Sequence, residues 1–354
     1  MATVFDFDTV RFDEKKERLL ILDQTRLPGK VCYISLKTQD QIIDAIATLK
    51  VRGAPAIGIT AAFALCLGMK PFIGLSFDAF YTHFKEVGAQ LAQARPTAVN
   101  LSWAIGRMEK TILRNRKAAI PEILEAMRSE ACRIKEEDKI MCRNIGIHGL
   151  SLLKPGWGIL THCNAGHLAA SWYGTALSPI YTGQEMGYHF RVFADETRPL
   201  LQGARLTAFE LQYAGVDTTL ICDNMASVVM EKGLVQAVLT GCDRVACNGD
   251  TANKIGTNTL AILARHYGIP FYICAPSSTI DADCKTGQNI VIEERSPEEI
   301  TEKWYRKRMA PENIKVFNPA FDITHHSLIT AFITEKGVVC PPFDFTPKEN
   351  DKKS

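Results

Sequence analysis

The sequence predicts an α/β protein with two domains, a mainly helical N-terminal domain over residues 1–145 and a parallel-sheet domain over residues 146–340. Three observations support this fold class. The chain has 354 residues, whereas a single hydrophobic core stops growing at about 250–300 residues. In the first part of the chain, apolar residues recur at helical spacing. In the second part, short apolar runs alternate with helical segments, which is typical of βαβ units.

The N-terminal domain is predicted to open with two short strands, Leu19–Asp23 and Lys30–Leu36, and then to become helical. Gln39–Leu49 is amphipathic, because its isoleucine and leucine side chains recur every three or four residues. Ala56–Leu67 is almost wholly apolar and follows Pro55, which predicts a buried helix that begins just after a proline. Three further helices are predicted at Phe77–Gln93, Val99–Asn115 and Pro121–Ile145.

From residue 156 onward, short apolar runs predict the strands of a parallel sheet. These runs are Gly158–His162, Phe190–Ala194, Thr218–Cys222, Ala237–Thr240 and Pro270–Cys274. Helical segments are predicted between them, near Leu168–Leu177, Leu206–Ala214, Met225–Gly233 and Asn258–Tyr267. Residues 341–354 are rich in proline, lysine and acidic residues and are predicted to form a disordered tail.

The composition excludes several classes of function. Lysine and arginine number 41 against 39 aspartate and glutamate residues, so the net charge of +2 argues against nucleic-acid and anionic-membrane partners. No run reaches the ~18 apolar residues that span a bilayer, and residues 1–8 lack the features of a signal peptide, so we expect a cytoplasmic protein. The eleven cysteines form no C-x-x-C pair, so we expect reduced thiols, no metal and no other cofactor.

Reactive side chains follow four of the predicted strands. These strand ends read His162-Cys163-Asn164, Asp195-Glu196-Thr197-Arg198, Asp223-Asn224 and Cys242-Asp243. The carboxyl ends of parallel strands meet at one edge of the sheet, and α/β proteins bind their ligands there. We therefore expect these side chains to share a crevice.

Asp243 and Cys163 are the candidate catalytic residues. Asp243 follows a buried strand, where burial raises the pKa of a carboxyl group and suits it to general acid catalysis. The alternative for Asp243 is a structural carboxylate that caps a helix or forms an ion pair with Arg244. Cys163 precedes a glycine-containing turn that we predict to lead into a helix, and a helix N-terminus lowers the pKa of a thiol. The alternative for Cys163 is a buried core cysteine.

Cationic segments from both domains predict a phosphate site. Asn253 and Lys254 bring an amide and a cation to the entry of a predicted helix. Arg52 and Gly53 precede the apolar helix, and Arg95 adds a further cation. Helix N-termini and arginine side chains both bind anions. Together these residues are sufficient to neutralise one phosphate group.

Longer motifs surround these candidate residues. They are Arg52-Gly53-Ala54-Pro55-Ala56-Ile57-Gly58, Cys163-Asn164-Ala165-Gly166, Glu196–Thr207, Asp243-Arg244, Asn248–Thr257 and Asn318-Pro319-Ala320-Phe321-Asp322. In these segments the sequence resembles the S-methyl-5-thioribose-1-phosphate isomerases. That family lies within the larger group that includes the α, β and δ subunits of translation initiation factor 2B. The resemblance runs from about Leu22 to Val339.

The resemblance implies a Rossmann-like C-terminal domain, a homodimer and a role in methionine salvage, with a small sugar phosphate as the substrate. It implies that Cys163 and Asp243 are catalytic. The substrate-contacting residues that it implies are Arg52, Gly53, Ala54, Arg95, Gln202, Asn253 and Lys254. The implied activity is an aldose–ketose isomerisation of methylthioribose 1-phosphate.

Three alternatives stay open at this point. The chain could isomerise 5-deoxyribose 1-phosphate, alone or in addition, or it could isomerise ribose 1,5-bisphosphate. A methylthio group needs an apolar lining at the sugar's C5 substituent, whereas a second phosphate needs more cations. The third alternative is a regulatory subunit like those of translation factor 2B, which would have no need for Cys163 and Asp243 together.

Overall fold

The computed structural model describes residues 4–95 and 99–347. Within these residues the chain divides into two compact units. The first comprises the residues up to Arg143 together with Ala165–Gly174, and the second comprises Asn144–Asn164 together with the residues from Thr175 onward. A single boundary near residue 145 therefore does not describe the division, because the segment Ala165–Gly174 packs with the N-terminal residues.

The first unit combines a small antiparallel sheet with a helical core. Its strands are β1 (Val10–Asp13), β2 (Arg18–Leu22) and β3 (Tyr33–Leu36), which pair in that order. Its helices are α1 (Gln39–Ala47), α2 (Ala54–Met69), α3 (Phe77–Ala94), α4 (Val99–Arg114) and α5 (Ile120–Leu150), the last of which continues into the second unit. The helical character predicted for this part of the chain is confirmed.

Helix α2 is the centre of this core, and α1, α3 and α4 pack against it. Its side chains are apolar on every face, which is typical of a helix buried on all sides. Together with the following 3₁₀ turn it forms a segment, Ala54–Phe72, that is long and apolar enough to cross a bilayer, contrary to the expectation from the sequence. However, 72% of its apolar window is buried inside the protein, as expected for a core helix.

The second unit contains the strands that follow in the chain. They are β4 (Gly158–Thr161), β5 (Arg191–Asp195), β6 (Asp217–Ile221), β7 (Ala237–Thr240), β8 (Arg244–Val245), β9 (Thr251–Lys254), β10 (Phe271–Cys274), β11 (Phe321–Thr324), β12 (Ala331–Thr334) and β13 (Gly337–Val339). The helices between them are α6 (Ser178–Glu185), α7 (Ala208–Tyr213), α8 (Ala226–Glu231), α9 (Thr257–His266) and α10 (Glu298–Thr301).

Among the described residues, the main sheet has seven strands in the order β13-β12-β10-β7-β4-β5-β6. Every neighbouring pair is parallel except β12 and β13. From β4 the chain proceeds outward through β5 and β6, and it then returns to β7 on the other side of β4. The strand order therefore reverses between β4 and β7, which are hydrogen-bonded neighbours. The predicted parallel-sheet α/β class is confirmed.

A second, antiparallel sheet forms where the sequence predicted a loop. Strand β9 lies between β8 and β11 in this sheet. The segment Gly241–Thr257 therefore contains two strands before α9 begins. The segment mixes small, polar and glycine residues, so its composition did not predict these strands. Strand β11, which pairs with β9, also lies far away in the sequence.

Two further predictions for residues 146–354 are wrong. Leu168–Leu177 is not an α-helix, because only His167–Ala169 forms a 3₁₀ turn and α6 begins at Ser178.

The predicted disorder of residues 341–354 is also wrong for 341–347, although residues 348–354 lie outside the described part of the chain. Phe343 is buried with its ring edge-on to Phe332 at a centroid distance of 4.8 Å. The N–H of Phe345 donates to the Cys247 carbonyl at 2.8 Å. Two phenylalanines are thus sufficient to anchor a segment that is otherwise polar in composition.

Candidate active site

Cys163 and Asp243 follow the two strands between which the sheet order reverses. Cys163 lies two residues beyond the end of β4, and Asp243 lies three residues beyond the end of β7. The register pairs Thr161 with Leu239, so the two strands reach the same edge of the sheet. Ligands of open α/β sheets bind at this switch point, outside the carboxyl ends of the strands. The second unit therefore contains a candidate site at the position where the fold favours one.

The backbone of Cys163 has a left-handed conformation, with φ of +60°. Its N–H donates to Thr197 Oγ1 at 2.8 Å, and its carbonyl accepts from Thr207 Oγ1 at 2.5 Å. The side chain is half-buried. The prediction that Cys163 lies at the N-terminus of an α-helix is wrong, because the next α-helix begins at Ser178. A helix dipole therefore gives no support for a thiolate at this position.

Asp243 is half-buried, and its N–H donates to the Ala252 carbonyl of β9 at 3.0 Å. The neighbouring Arg244 directs its guanidinium to Asp281, with Nη1 3.4 Å from Oδ2. Next to them, burial raises the pKa of the Cys242 thiol well above its ordinary value, and the charge of Asp243 raises it further. Cys242 is thus a neutral thiol that donates to the Arg244 carbonyl at 2.9 Å.

Asn253 and Lys254 belong to strand β9. Asn253 Nδ2 donates to Thr257 Oγ1 at 3.0 Å, and Lys254 Nζ donates to the Ala320 carbonyl at 2.8 Å. The Lys254 ammonium also lies 4.6 Å from the ring centroid of Phe321. Both side chains are thus held by residues of their own unit.

The N-terminus of α9, which the sequence predicted as part of an anion site, holds a carboxylate of the protein itself. The carboxylate of Asp322 accepts hydrogen bonds from Gly256 N–H at 2.8 Å and from Asn258 N–H at 3.1 Å. A carboxylate at a helix N-terminus satisfies backbone donors that an external anion would otherwise bind. The protein's own Asp322 therefore occupies two of the backbone donors at this helix start, and substrate contacts of Asn253 and Lys254 stay a prediction. In the sequence, Asp322 ends the Asn318–Asp322 motif, but nothing in that motif indicated a contact to the start of a helix.

Gln202 lies immediately before a π-helical turn, Gly203–Thr207. Its side chain is 6% exposed, and within residues 4–95 and 99–347 its Oε1 has no hydrogen-bond partner. A buried amide oxygen without a partner costs free energy. Gln202 therefore retains an acceptor that a ligand hydroxyl can satisfy.

The remaining predicted site residues belong to the first unit. Arg52 is half-buried and precedes Gly53, the N-cap of α2. Ala54 is the first residue of that helix, and among the described residues no side chain caps it. Arg95 is the C-cap of α3 and is half-buried. The predicted arrangement of Arg52 and Gly53 before a buried helix is therefore present.

A buried histidine–aspartate pair lies beside Cys163, and the sequence placed both residues at strand ends without predicting that they pair. His162 Nδ1 is 3.0 Å from Asp195 Oδ2, and its Nε2 is 2.9 Å from the Ile255 carbonyl. His162 is 1% exposed and Asp195 is fully buried. Burial disfavours the charged imidazole, but the hydrogen bond to Asp195 and its charge outweigh that effect and raise the pKa of His162. His162 thereby connects the ends of β4 and β5 to the residues after β9.

Among the described residues, two groups of side chains have the spacing of metal ligands, namely His162 with Asp195 and Asp223, and Asp250 with His325 and His326. The carboxylate oxygens of Asp250 and Asp223 already accept hydrogen bonds from the protein, whereas Asp195 Oδ1 has no partner in the part of the chain that the structure describes. Both oxygens of Asp250 accept hydrogen bonds, from Asn248, Gly287 and His326, and these bonds outweigh burial and lower its pKa to about 2. Both oxygens of Asp223 accept backbone N–H groups. Asp250 therefore connects the loops around Asn248, Gly287 and His326.

The first unit also contains a cavity of about 420 Å³. Aromatic side chains dominate its lining, which comprises Phe5, Phe7, Tyr33, His167, Trp172 and Tyr173 together with Asp6, Asp8 and Arg11. Trp172 and Tyr173 belong to the segment Ala165–Gly174, which follows the candidate site in the chain.

Comparison with known proteins agrees with the resemblance of the motifs. Residues 50–342 match the Initiation factor 2 subunit family. The chain is 64% identical over 342 residues to the methylthioribose-1-phosphate isomerase of Symbiobacterium thermophilum, covering 97% of this chain and 95% of that protein. It is 52% identical over 344 residues to the 5-deoxyribose 1-phosphate isomerase of Clostridium botulinum (strain Okra), covering 97% of each.

The chain is also similar to a solved structure of such an isomerase. The crystal structure of 5-methylthioribose 1-phosphate isomerase from Pyrococcus horikoshii is 41% identical and superimposes with a TM-score of 0.88, covering 99% of this chain and 96% of that one. These similarities extend over nearly the whole chain. The protein belongs to the Initiation factor 2 subunit family.

Proposed function

We propose that the protein is an aldose–ketose isomerase that converts S-methyl-5-thio-α-D-ribose 1-phosphate to S-methyl-5-thio-D-ribulose 1-phosphate in methionine salvage. The observation that carries this proposal is the 64% identity, over 97% of the chain, to an isomerase named for that substrate. The position of Cys163 and Asp243 beyond neighbouring strands at the switch point supports it.

The chemistry of the substrate defines what the site has to supply. Phosphate on the anomeric carbon prevents the sugar ring from opening spontaneously to an aldehyde. An acid therefore has to protonate the ring oxygen O4 while the C1–O4 bond breaks. The hydrogen on C2 then moves to C1 and the C2 hydroxyl gives up its proton, so that C2 becomes a carbonyl and C1 becomes a CH₂ group that keeps its phosphate. The proton released from the C2 hydroxyl balances the one delivered to O4.

We assign the acid role to Asp243 and the complementary proton transfer, or stabilisation of the transition state, to Cys163. General acid–base assistance contributes about 10²–10⁴-fold to a rate. Transfer by a base and direct hydride transfer are distinguished by running the reaction in D₂O, because only the first route can bring solvent deuterium to C1.

The substrate phosphate is assigned to the cations Arg52, Arg95 and Lys254. Guanidinium groups bind phosphate through paired hydrogen bonds, and binding remote from C2 leaves the reacting carbons accessible. Gln202 and Asn253 offer amide groups to the sugar hydroxyls. Gly53 and Ala54 offer the backbone at the start of α2. These contacts remain assignments from the family motifs.

The alternatives differ in the support that they have. Relatives named 5-deoxyribose 1-phosphate isomerase are 52–54% identical, below the 60–64% of those named methylthioribose-1-phosphate isomerase. Activity assays with methylthioribose 1-phosphate, 5-deoxyribose 1-phosphate and ribose 1,5-bisphosphate compare these substrates directly. We expect the highest kcat/KM for methylthioribose 1-phosphate. No turnover of any of the three would support the regulatory-subunit alternative.

We further propose that the protein acts as a cytoplasmic homodimer. Strand β6 is the edge of the main sheet in the described chain, and Leu220 on this strand is 49% exposed. Exposed sheet edges with apolar side chains favour association. Light scattering of the purified protein measures its mass in solution, and a monomer at micromolar concentration would contradict the assignment.

The acid role is tested by Asp243→Asn, which keeps the shape of the side chain but removes its proton. We expect kcat to fall at least about 10²-fold, while substrate binding measured by calorimetry stays within a few fold. Turnover is followed by ³¹P NMR, since an anomeric phosphate becomes a primary phosphate ester. The matched control is Asp281→Asn, at another half-buried aspartate of the same unit. Near-normal turnover by Asp243→Asn would refute the role.

A further inference from the structure

We propose that Thr197 and Thr207 are positioning residues, which clamp the two peptide groups flanking Cys163 and thereby fix the direction of its thiol. This inference rests on the role proposed above for Cys163. It concerns the hydrogen bonds that hold Cys163 in place, and it adds Thr197 and Thr207 to the residues on which turnover depends.

The first observation is the strained backbone of Cys163. A φ of +60° brings the Cβ of a residue other than glycine close to a carbonyl oxygen, so it is disfavoured. Such a conformation persists only where the surroundings determine it from several sides. Thr197 accepts the N–H of Cys163, and Thr207 donates to its carbonyl. Both peptide groups are therefore fixed by side chains, outside any helix or strand.

Thr197 is itself held in place by two neighbours. Its φ is +64°, which is a marked outlier for a β-branched residue. The carboxylate of Asp223 accepts the N–H groups of Thr197 and Arg198, each at 2.7 Å. The Thr197 hydroxyl donates to the Asp195 carbonyl at 3.1 Å, so its oxygen is oriented to accept from Cys163. The ends of β4, β5 and β6 are thereby connected in one chain of hydrogen bonds.

Thr207 reaches Cys163 because of the π-helical turn Gly203–Thr207. A π turn shifts the direction of the side chains that follow it, and such turns recur at functional sites. The turn packs closely against the end of β5, since a Cβ on Gly203 would lie 1.6 Å from the Asp195 carbonyl oxygen. The Thr207 hydroxyl accepts from Asn164 Nδ2 at 3.1 Å, so its hydrogen is directed to Cys163.

Because both threonines are buried, we expect their substitution to change turnover and not substrate binding. Their side chains are fully buried, and their hydroxyl groups contact the backbone of Cys163 rather than its thiol. Loss of either hydroxyl therefore releases the cysteine but removes no contact to substrate. We expect a fall in kcat with little change in KM, since misplacing a reacting group by about 1 Å costs about 10²-fold.

The test compares Thr197→Val and Thr207→Val with the matched serine variants. Valine keeps the volume and removes the hydroxyl, so each valine variant is expected to lower kcat about 10²-fold. Serine keeps the hydroxyl and is expected to restore kcat to within a few fold of the wild type. The double valine variant is expected to lose far less than the product of the two single effects, because both act through one residue.

Thr279→Val is the control for removing a buried threonine hydroxyl. Thr279 is also buried in the second unit, and its hydroxyl has no hydrogen-bond partner among the residues that the structure describes. We expect it to keep its kcat. Equal losses of kcat in Thr279→Val and Thr197→Val, or no rescue by serine, would overturn the positioning role.

Cys163→Ala separates this inference from the proposed function. If Cys163→Ala retains normal turnover, the proposed role of the thiol is wrong. If Cys163→Ala is inactive but Thr197→Val and Thr207→Val both turn over normally, the role of the thiol stands and the positioning role alone is refuted.

Discussion

At the scale of single residues, the left-handed backbone of Cys163 gives a prediction about stability. With φ of +60°, a side chain at this position costs about 1–2 kcal/mol, whereas glycine avoids the cost. We expect Cys163→Gly to be more stable than Cys163→Ala by about 1 kcal/mol, although glycine loses more backbone entropy on folding. Urea unfolding of the two variants measures the difference.

Cys66 provides the matched control for this comparison. It is buried within helix α2, where the backbone is right-handed. Glycine in a helix interior is about 1 kcal/mol less favourable than alanine, so Cys66→Gly is expected to be the less stable of that pair. The same sign at both positions would show that strain at Cys163 does not contribute to stability.

The site residues differ in how far the sequence could predict them. Cys163 and Asp243 stood out because each follows a recognisable buried strand. Asp195 also follows a predicted strand, but nothing in the sequence indicated that it pairs with His162, and Thr207 carried no such signal, since their contacts are hydrogen bonds to residues 33 and 44 positions away. Such contacts arise only when β4, β5 and the π-helical turn have packed together.

At the scale of elements, the start of α9 depends on a close approach between backbone and imidazole. Gly256 precedes this helix with φ of +103°, and a Cβ there would lie 2.9 Å from His162 Cε1. Gly268 also has a positive φ, of +68°, but no heavy atom lies within 4 Å of its Cβ position. Alanine is strained at both positions, but it collides with a buried ring only at the first.

We therefore expect Gly256→Ala to be more destabilising than Gly268→Ala by about 1–3 kcal/mol, which is typical of overpacking. Urea unfolding measured by far-UV circular dichroism provides both values. Equal losses at the two glycines would mean that His162 moves aside without cost, contrary to the two hydrogen bonds that hold its ring.

Long helices and buried strands were predictable because their signal is local. Periodic apolar residues placed α3 and α4 within one residue of their observed ends, and the run Ala237–Thr240 matches β7. The small sheet was not predictable in the same way. Strand β9 pairs with β11, which lies about seventy residues later, so no local periodicity marks it. Asp322 of that partner strand then accepts hydrogen bonds from two backbone N–H groups at the start of α9.

At the scale of the whole molecule, chain order only partly determines which residues fold together. The change from helical to alternating pattern predicted two domains, and two compact units are present among the described residues. The segment Ala165–Gly174 departs from chain order and packs with the first unit. The sequence predicted a helix of the parallel-sheet domain here, because the segment lies between two predicted strands. Only the three-dimensional contacts assign it to the N-terminal residues.

Within that segment, His167 predicts how the protein responds to acid. His167 is 3% exposed, its ring stacks on Phe5 at 4.3 Å, and its Nε2–H donates to the Phe7 carbonyl at 2.7 Å. Burial lowers the pKa of His167 to about 4. In the unfolded chain a histidine titrates near 6.5, so the unfolded state binds a proton before the folded state does.

The stability from neutral His167 is therefore complete above about pH 6.5 and is lost as the pH falls toward 4, to a total of about 3 kcal/mol. Urea unfolding at pH 7.5, 6.0 and 5.0 measures this loss. His167→Gln removes the titrating group, so we expect a lower stability at pH 7.5 but a flatter dependence on pH. The exposed His266 provides the control, since His266→Gln should keep the slope of the wild type. A slope that is unchanged in His167→Gln would assign the acid sensitivity to other groups and leave His167 only its packing role.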